Sequence, residues 1–304
     1  MKVFITGGTG FVGSIISGEI KKSGASVVLL ERNSKKASAL RRTGFEVFEG
    51  NLEDINPLDD FFAENKFDAI INLVGIIKQQ SDFSFQKVHI EYVEILLQLA
   101  RNHNIKRFVH MSANGASEKS ESVYYTSKYE GQKLVENSGL AWTIFKPSLI
   151  FGDDAAFFDD LIKLVKERFF VPIIGTGEDK FAPIDVLSVA KSYAGALSNE
   201  AAYHKIYTLC GPDIYSFEGI IDLIMEIMPP KKIKIHAPSF IVENGIEFIE
   251  KFFRAKGLPV TSDQIKMLKY DNICENDMKE IDDLFGLNRL HLKDWLTDYL
   301  KVEN

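Results

Sequence analysis

Two side chains in the stretch SVYYTSKYEG (122–131), Tyr124 and Lys128, stand four positions apart. On a helix that spacing puts them on one face, one turn from each other. A phenol and an ammonium so placed can pass protons or hold a nucleotide. On an ordinary amphipathic helix the same pair packs a ring and solvates a charge. An unperturbed tyrosine titrates at about 10, so proton transfer near neutrality needs a fixed cation beside the phenol. Spacing alone leaves these uses open.

A second constellation bears on the choice. VFITGGTGFVGSII places Gly7, Gly10 and Gly13, with Phe11 and Val12 among them, directly after a β-branched run and at the start of a helical pattern. Gly7 permits a tight turn, Gly10 lets a pyrophosphate approach the backbone, and Gly13 lets the helix lie close to the strand. The helix start then offers N–H donors and positive dipole to phosphates. Some eighteen residues beyond Gly13 the second strand ends in LLERN, so Glu31 stands where a carboxylate accepts hydrogen bonds from an adenosine ribose. Its neighbour Arg32 could instead meet a 2′-phosphate. The two pull in opposite directions, and the choice between NAD and NADP stays open. The third strand ends FEGNLED, which puts Asn51 and Leu52 where adenine would lie. The fourth ends NLVGI, which puts Val74 and Gly75 against the cofactor.

These residues need a frame. Up to about residue 150, KVFIT, SVVLLE, FEVFEG, DAIINLV, RFVHMS and WTIFKP alternate with helical patterns starting near Phe11, Lys35, Pro57, Phe83 and Tyr124. Strands nearly continuous in apolar residues fit a parallel sheet covered on both faces. The alternation predicts an α/β fold of Rossmann type, a doubly wound parallel sheet over residues 1–150. After Pro147 the rhythm changes, and residues 151–304 read as a smaller, mostly helical lobe for substrate or partner, with some later segments returning to the first domain. In that lobe Ser216 and Asp185 read as helix caps. Asp153, Asp154, Asp159 and Asp160 read as a solvated acidic helix start, with no His or Cys at ligand spacing and therefore no metal site.

The chain has 304 residues, 45% of them hydrophobic and 26% charged, with a formal charge of −7. Such a balance argues against a nucleic-acid partner, which needs a local excess of Lys and Arg. Cys210 and Cys274 lie far apart in sequence and suit a reducing compartment, with no disulfide expected. The opening does not read as a secretory leader, and no apolar run is long enough to span a bilayer, so a cytoplasmic protein is expected. PSFIVENGIEFIEKFFRAKG, within 238–257, carries an apolar helical face. That face over residues 239–256 is read as core, or else as a docking surface for a protein or membrane surface, which would make the protein peripheral to a membrane.

With TGGTGFVG, NLVG, HMSANGAS, YYTSK and KPSLIFG in this order, the chain resembles the extended and atypical short-chain dehydrogenases/reductases. It is most similar to the branch holding the nucleotide-binding accessory subunit of respiratory complex I and its bacterial relatives. INLVGIIKQQSDFSFQKVHIE and LPVTSDQIKMLKYDNI add to that likeness. The resemblance implies a bound NAD or NADP and, in active members, a Ser-Tyr-Lys group acting on a carbonyl or hydroxyl compound. Tyr124 would then be the acid/base. Lys128 would lower its pKa and hold the nicotinamide ribose, and Ser112 would orient a substrate carbonyl. Many members place the serine one or two residues later, where this chain has Ala113 and Asn114. Pro147 matches the position beside the nicotinamide carboxamide. His89, where many members carry Asn, is read as a core or surface histidine. The branch also implies a second role, that of a non-catalytic accessory or assembly protein of the respiratory chain or of quinone biosynthesis.

Overall fold

A computed structural model describes residues 1–174, 176–228, 232–237, 261–268, 270–275 and 278–302. The amphipathic stretch 239–256 lies outside the described residues. From the N-terminus, β1 (Lys2–Thr6), α1 (Phe11–Lys22), β2 (Ser26–Glu31), α2 (Ser34–Arg42), β3 (Glu46–Glu49), α3 (Ile55–Glu64) and β4 (Ala69–Asn72) alternate strictly. A π-helical turn, Lys87–Glu91, runs into α4 (Tyr92–Asn102); β5 (Arg107–Met111), α5 (Val123–Glu136) and β6 (Ala141–Pro147) follow. Beyond them come β7 (Ile150–Phe151), α6 (Ala156–Glu167), β8 (Phe170–Ile174), β9 (Lys180–Phe181), β10 (Ile184–Asp185) and α7 (Val186–Leu197). The chain continues through β11 (Lys205–Leu209), β12 (Tyr215–Ser216), α8 (Phe217–Ile227) and β13 (Ile233–Ala237). The helices α9 (Ser262–Met267), α10 (Lys279–Phe285) and α11 (Leu292–Val302) complete it.

The six strands read from the sequence form a parallel sheet to which β11 adds a seventh, in the order β11-β6-β5-β4-β1-β2-β3. The order reverses between β1 and β4, and α/β sheets bind ligands at such a switch point. Both faces of the sheet are buried, as its apolar strands require: Val3 and Ile5 face one cluster with α1 and α7, and Phe4 and Ile70 face the other with α3 and α4. A separate core lies beyond the sheet, where Phe151, Phe158, Ile220 and Trp295 draw α6, α8 and α11 together. Asp185 and Ser216 cap α7 and α8 by accepting from the Ser188 and Gly219 amides. Arg107, buried in β5, donates to the carbonyls of Ala196 and Leu197 at the C-terminal end of α7 and thereby fixes that helix to the sheet.

One expectation is corrected. Cys210 and Cys274 are disulfide-bonded across 64 residues of sequence. The residues after α9 return to the C-terminal edge of the sheet, where the Asn272 amide donates to Lys180 and its carbonyl accepts from Ala182. That course brings Cys274 to the end of β11. Distance along the chain was a poor guide because the parallel sheet gathers its strand ends at one edge.

Candidate functional site

The turn after β1 is built by close approach. Gly7 has φ +71°, and a Cβ there would lie 2.7 Å from the backbone of Leu73 and Val74. At Gly13 a Cβ would stand 2.0 Å from the Gly7 carbonyl oxygen, whereas at Gly10 it would meet nothing nearer than 3.8 Å. Gly7 and Gly13 therefore hold the turn against its neighbours, while Gly10 keeps open the space in front of α1. Among the described residues no side chain caps α1, whose N-cap is Gly10 itself. Unpaired amides behind a glycine turn suit a diphosphate. Phe11 and Val12 do not line the cavity described next. Phe11 packs on the outer core and Val12 on the sheet core.

A cavity of about 360 Å³ opens beside this turn, lined by Gly7, Glu31, Arg32, Asn51, Leu52 and Val74 together with Phe83 and Tyr92. Glu31 is buried at the tip of β2 and accepts from the Asn33 amide through Oε1. The Arg32 guanidinium lies over the Phe83 ring, 4.4 Å from its centroid. Asn51 spends its amide locally, donating to Asp54 and accepting from the Glu53 and Asp54 amides at the start of α3. Leu52 is buried and Val74 partly buried, and both supply apolar wall. The dimensions and donors fit an adenosine and its phosphates.

The second half of the site lies on α5. Ser122 caps the helix through the Tyr125 amide. Gly131 lets the helix touch the π-helical turn, for a Cβ there would stand 2.1 Å from the His89 carbonyl oxygen. Tyr124 and Lys128 then project on one face. The Tyr124 ring meets Phe85 and His89 edge-on at 5.7 and 5.5 Å. Among the described residues its hydroxyl has no hydrogen-bond partner. Lys128 is buried, and its ammonium donates to the Met111 carbonyl at the end of β5. Burial pulls its pKa down to about 8. Gly75 completes this corner, since a Cβ on it would lie 3.7 Å from both Lys128 Nζ and His89 Nε2. Pro147 is buried at the end of β6, its carbonyl accepting from the Asn114 amide.

Three features here were not legible in the sequence. Burial pushes the Tyr124 phenol upward, and Tyr125 and Asp263 push it further the same way, so Lys128 does not set its ionisation in this arrangement. Ser112 is buried, and its hydroxyl donates to Gln132 on α5. Ala113 follows it, and the Asn114 side chain is committed to the Ile273 carbonyl. His89 is buried and works as a tether. The Ile76 amide donates to Nε2, so Nδ1 carries the proton and donates to Ser127 Oγ at 2.8 Å. Ser127 in turn donates to the Tyr124 carbonyl at 2.8 Å. The loop after β4 is thus joined to the residue carrying the phenol.

Burial, together with the nearby Lys128 ammonium, holds the His89 pKa down to about 2, against an ordinary 6.5. Below pH 6.5 the unfolded chain therefore takes up a proton that the folded one refuses, and stability falls as pH drops through that window. His110, buried behind it, shifts in the same direction. Urea titrations from pH 7 to 4 are expected to show this loss, with a shallower slope in His89→Gln, by at most ~1.4 kcal/mol per pH unit.

A family model described as NAD dependent epimerase/dehydratase family matches residues 3–210, from β1 to the end of β11. The chain belongs to this family. Its cofactor is a nicotinamide dinucleotide, NAD or NADP, in keeping with the turn and cavity above. The chain is 26% identical over 241 residues to the mitochondrial NADH dehydrogenase [ubiquinone] 1 alpha subcomplex subunit 9 of Arabidopsis thaliana, covering 77% of this chain and 60% of that protein. It is 24% identical over 304 residues to the mitochondrial NADH-ubiquinone oxidoreductase 40 kDa subunit of Neurospora crassa, covering 98% of this chain and 78% of that protein. Among solved structures, an Escherichia coli NADPH-dependent quinone oxidoreductase complexed with NADPH superposes with a TM-score of 0.76 at 16% identity, over 98% of this chain and 99% of that one. A Bacillus cereus UDP-glucuronic acid 4-epimerase, in complex with UDP-glucuronic acid and NAD, gives 0.72 at 17% over the full length of both. At such identities the structures share the fold. No helix among the described residues is long and apolar enough to cross a membrane.

Proposed function

We propose that the protein is a nicotinamide-dependent oxidoreductase or epimerase acting on a carbonyl or hydroxyl compound, with Tyr124 as the acid/base. The observation that carries this reading is Lys128. A buried ammonium held by one backbone carbonyl is costly to keep without a carboxylate, and such groups cluster where a ligand or a reaction uses them. It lies one turn from a tyrosine whose hydroxyl no described residue engages, beside Gly75 and the end of β5. The dinucleotide, when bound, supplies or accepts the hydride. Lys128 would hold the nicotinamide ribose, Tyr124 would give a proton to the substrate oxygen or take one from it, and Pro147 would flank the carboxamide. The test is a Tyr124→Phe variant, in which turnover should vanish and dinucleotide binding persist.

Glu31 favours NAD. Its carboxylate, buried at the tip of β2, would meet the adenosine ribose and repel a 2′-phosphate, while the Arg32 guanidinium is spread over Phe83. Calorimetry is expected to give tighter binding of NAD than NADP by at least ~10-fold, or ~1.4 kcal/mol. Equal affinities would return the choice to Arg32.

A second reading has its own support. The Ser112 hydroxyl is spent on Gln132 and no hydroxyl follows at 113 or 114, so this serine is not free to donate to a substrate carbonyl in this arrangement. Two relatives are named as respiratory complex subunits. In this reading the dinucleotide stabilises the fold and a partner surface of an accessory or assembly protein peripheral to a membrane. Breaking the phosphate turn with Gly10→Asp should then cost a co-purifying partner, and a partner retained without nucleotide would count against it.

A further inference from the structure

The C-terminal segment does more than pack. Thr261 opens α9 with a reciprocal cap, its hydroxyl accepting from the Gln264 amide while the Gln264 side chain accepts from the Thr261 amide. This fixes Asp263 in the first turn of α9 and directs its carboxylate at the start of a different helix. Oδ1 accepts from the Val123 amide at 2.7 Å, and Oδ2 accepts from the Tyr124 amide at 3.0 Å and from Ser122 Oγ at 2.9 Å. Ser122 Oγ itself accepts from the Tyr125 amide. The first three amides of α5, ordinarily left without intrahelical partners, are all satisfied, two of them by a residue about 140 positions away.

We propose that Asp263 is a positioning residue for the Tyr124–Lys128 pair, a carboxylate lent by the C-terminal segment to fix the first turn of α5. The proposal rests on the acid/base reading of Tyr124 and adds to it the residue that places the phenol. Tyr124 is gripped at both backbone ends, its amide by Asp263 and its carbonyl by Ser127, which His89 orients. The grip is anchored further along the same segment. Tyr270 accepts from the Glu121 amide through its hydroxyl, Asn272 donates to the Asn114 carbonyl and to the Tyr125 hydroxyl, and Cys274 is bonded to Cys210.

A charge so placed also acts on the phenol. Among the described residues, the neutral His89 and the Tyr125 phenol meet the Tyr124 ring, Asp263 accepts from its backbone amide, and Lys128 stands one turn on. A carboxylate favours the helix N-terminus it caps and disfavours a phenolate beside it. Burial is the largest cause of the phenol's upward shift, and Asp263 pushes it the same way, so this carboxylate further disfavours the phenolate that oxidation of an alcohol would use.

Two variants of the full chain test this. Asp263→Asn keeps an acceptor on α5 and removes the charge, and Asp263→Ala removes both. With ¹³Cζ-labelled tyrosine, and the Tyr124 resonance assigned from a Tyr124→Phe spectrum, the Tyr124 phenol should titrate at lower pH in Asp263→Asn than in the native protein. In Asp263→Ala the amides of Val123 and Tyr124 should exchange with solvent at least ~10-fold faster, as for a frayed helix end. An unmoved phenol midpoint, or first-turn amides as protected as in the native protein, overturns the proposal. If the alanine variant does not fold, the midpoint in Asp263→Asn decides alone. Failure of the acid/base reading has a different signature, normal turnover in Tyr124→Phe with Asp263 intact.

Discussion

A Gly13→Ala variant is expected to lose dinucleotide binding and much of its stability, although only one methyl group is added. The methyl carbon would stand 2.0 Å from the Gly7 carbonyl oxygen and 2.8 Å from the Gly8 Cα. Both are backbone atoms with no rotamer into which to retreat. The turn cannot move away, because Gly7 is itself pressed against Leu73 and Val74 at the tip of β4. Either α1 lifts from the sheet or the turn opens. Lifting α1 would part Ile16 and Ile20 from the core they share with α7. Overpacking of this kind costs up to about 3 kcal/mol. Since the phosphates need the turn and the start of α1 in one geometry, NAD affinity should fall by at least ~100-fold, or ~2.7 kcal/mol. Calorimetry and a urea melt of the same sample measure the two effects. Wild-type affinity in Gly13→Ala would mean that the phosphates bind elsewhere.

The contrast between the two halves of the site shows what a sequence can disclose. The glycine turn was legible because it is local: a strand, three glycines and a helix start are contiguous, and their spacing carries the geometry. The same holds for Glu31, which ends the next strand, and for the parallel sheet, whose apolar runs report burial on both faces. The Tyr–Lys pair was legible as a face of a helix and no further. Its electrostatics depend on burial and, for the phenol, also on Tyr125 and on Asp263, which reaches it from far along the chain. The cap formed by Thr261 and Gln264 went unread, and nothing local told where Asp263 would point. Ser112 was placed correctly at the end of β5, yet its hydroxyl turns to Gln132, a pairing set by how α5 lies on the sheet. Cys210 and Cys274 failed for the same reason, since a crossing of the sheet edge is invisible in their spacing.

The turn after β1 and its cavity are built, while the proposed reacting pair on α5 is open to two uses, which makes Tyr124→Phe the decisive substitution. Removing one oxygen leaves the ring to pack on Phe85 and His89 as before, and no protein hydrogen bond among the described residues is lost. Stability should therefore hardly change, and NAD should bind as to the native protein, because Lys128 and the phosphate turn are untouched. A proton-transferring phenol is another matter: its loss should reduce hydride exchange between NADH and a carbonyl compound by about 10²–10⁴-fold. A panel of carbonyl compounds is the assay, with the nicotinamide absorbance as readout. Because burial raises the phenol's pKa, with Tyr125 and Asp263 adding to it, carbonyl reduction should hold its rate toward neutral and mildly alkaline pH. The reverse oxidation should rise with pH as the phenolate forms. If Tyr124→Phe matches the native rate, the phenol is a packing group and the acid/base assignment falls. If the native protein moves no hydride with any such compound while holding NAD tightly, the buried Lys128 is a nucleotide anchor and the accessory reading stands.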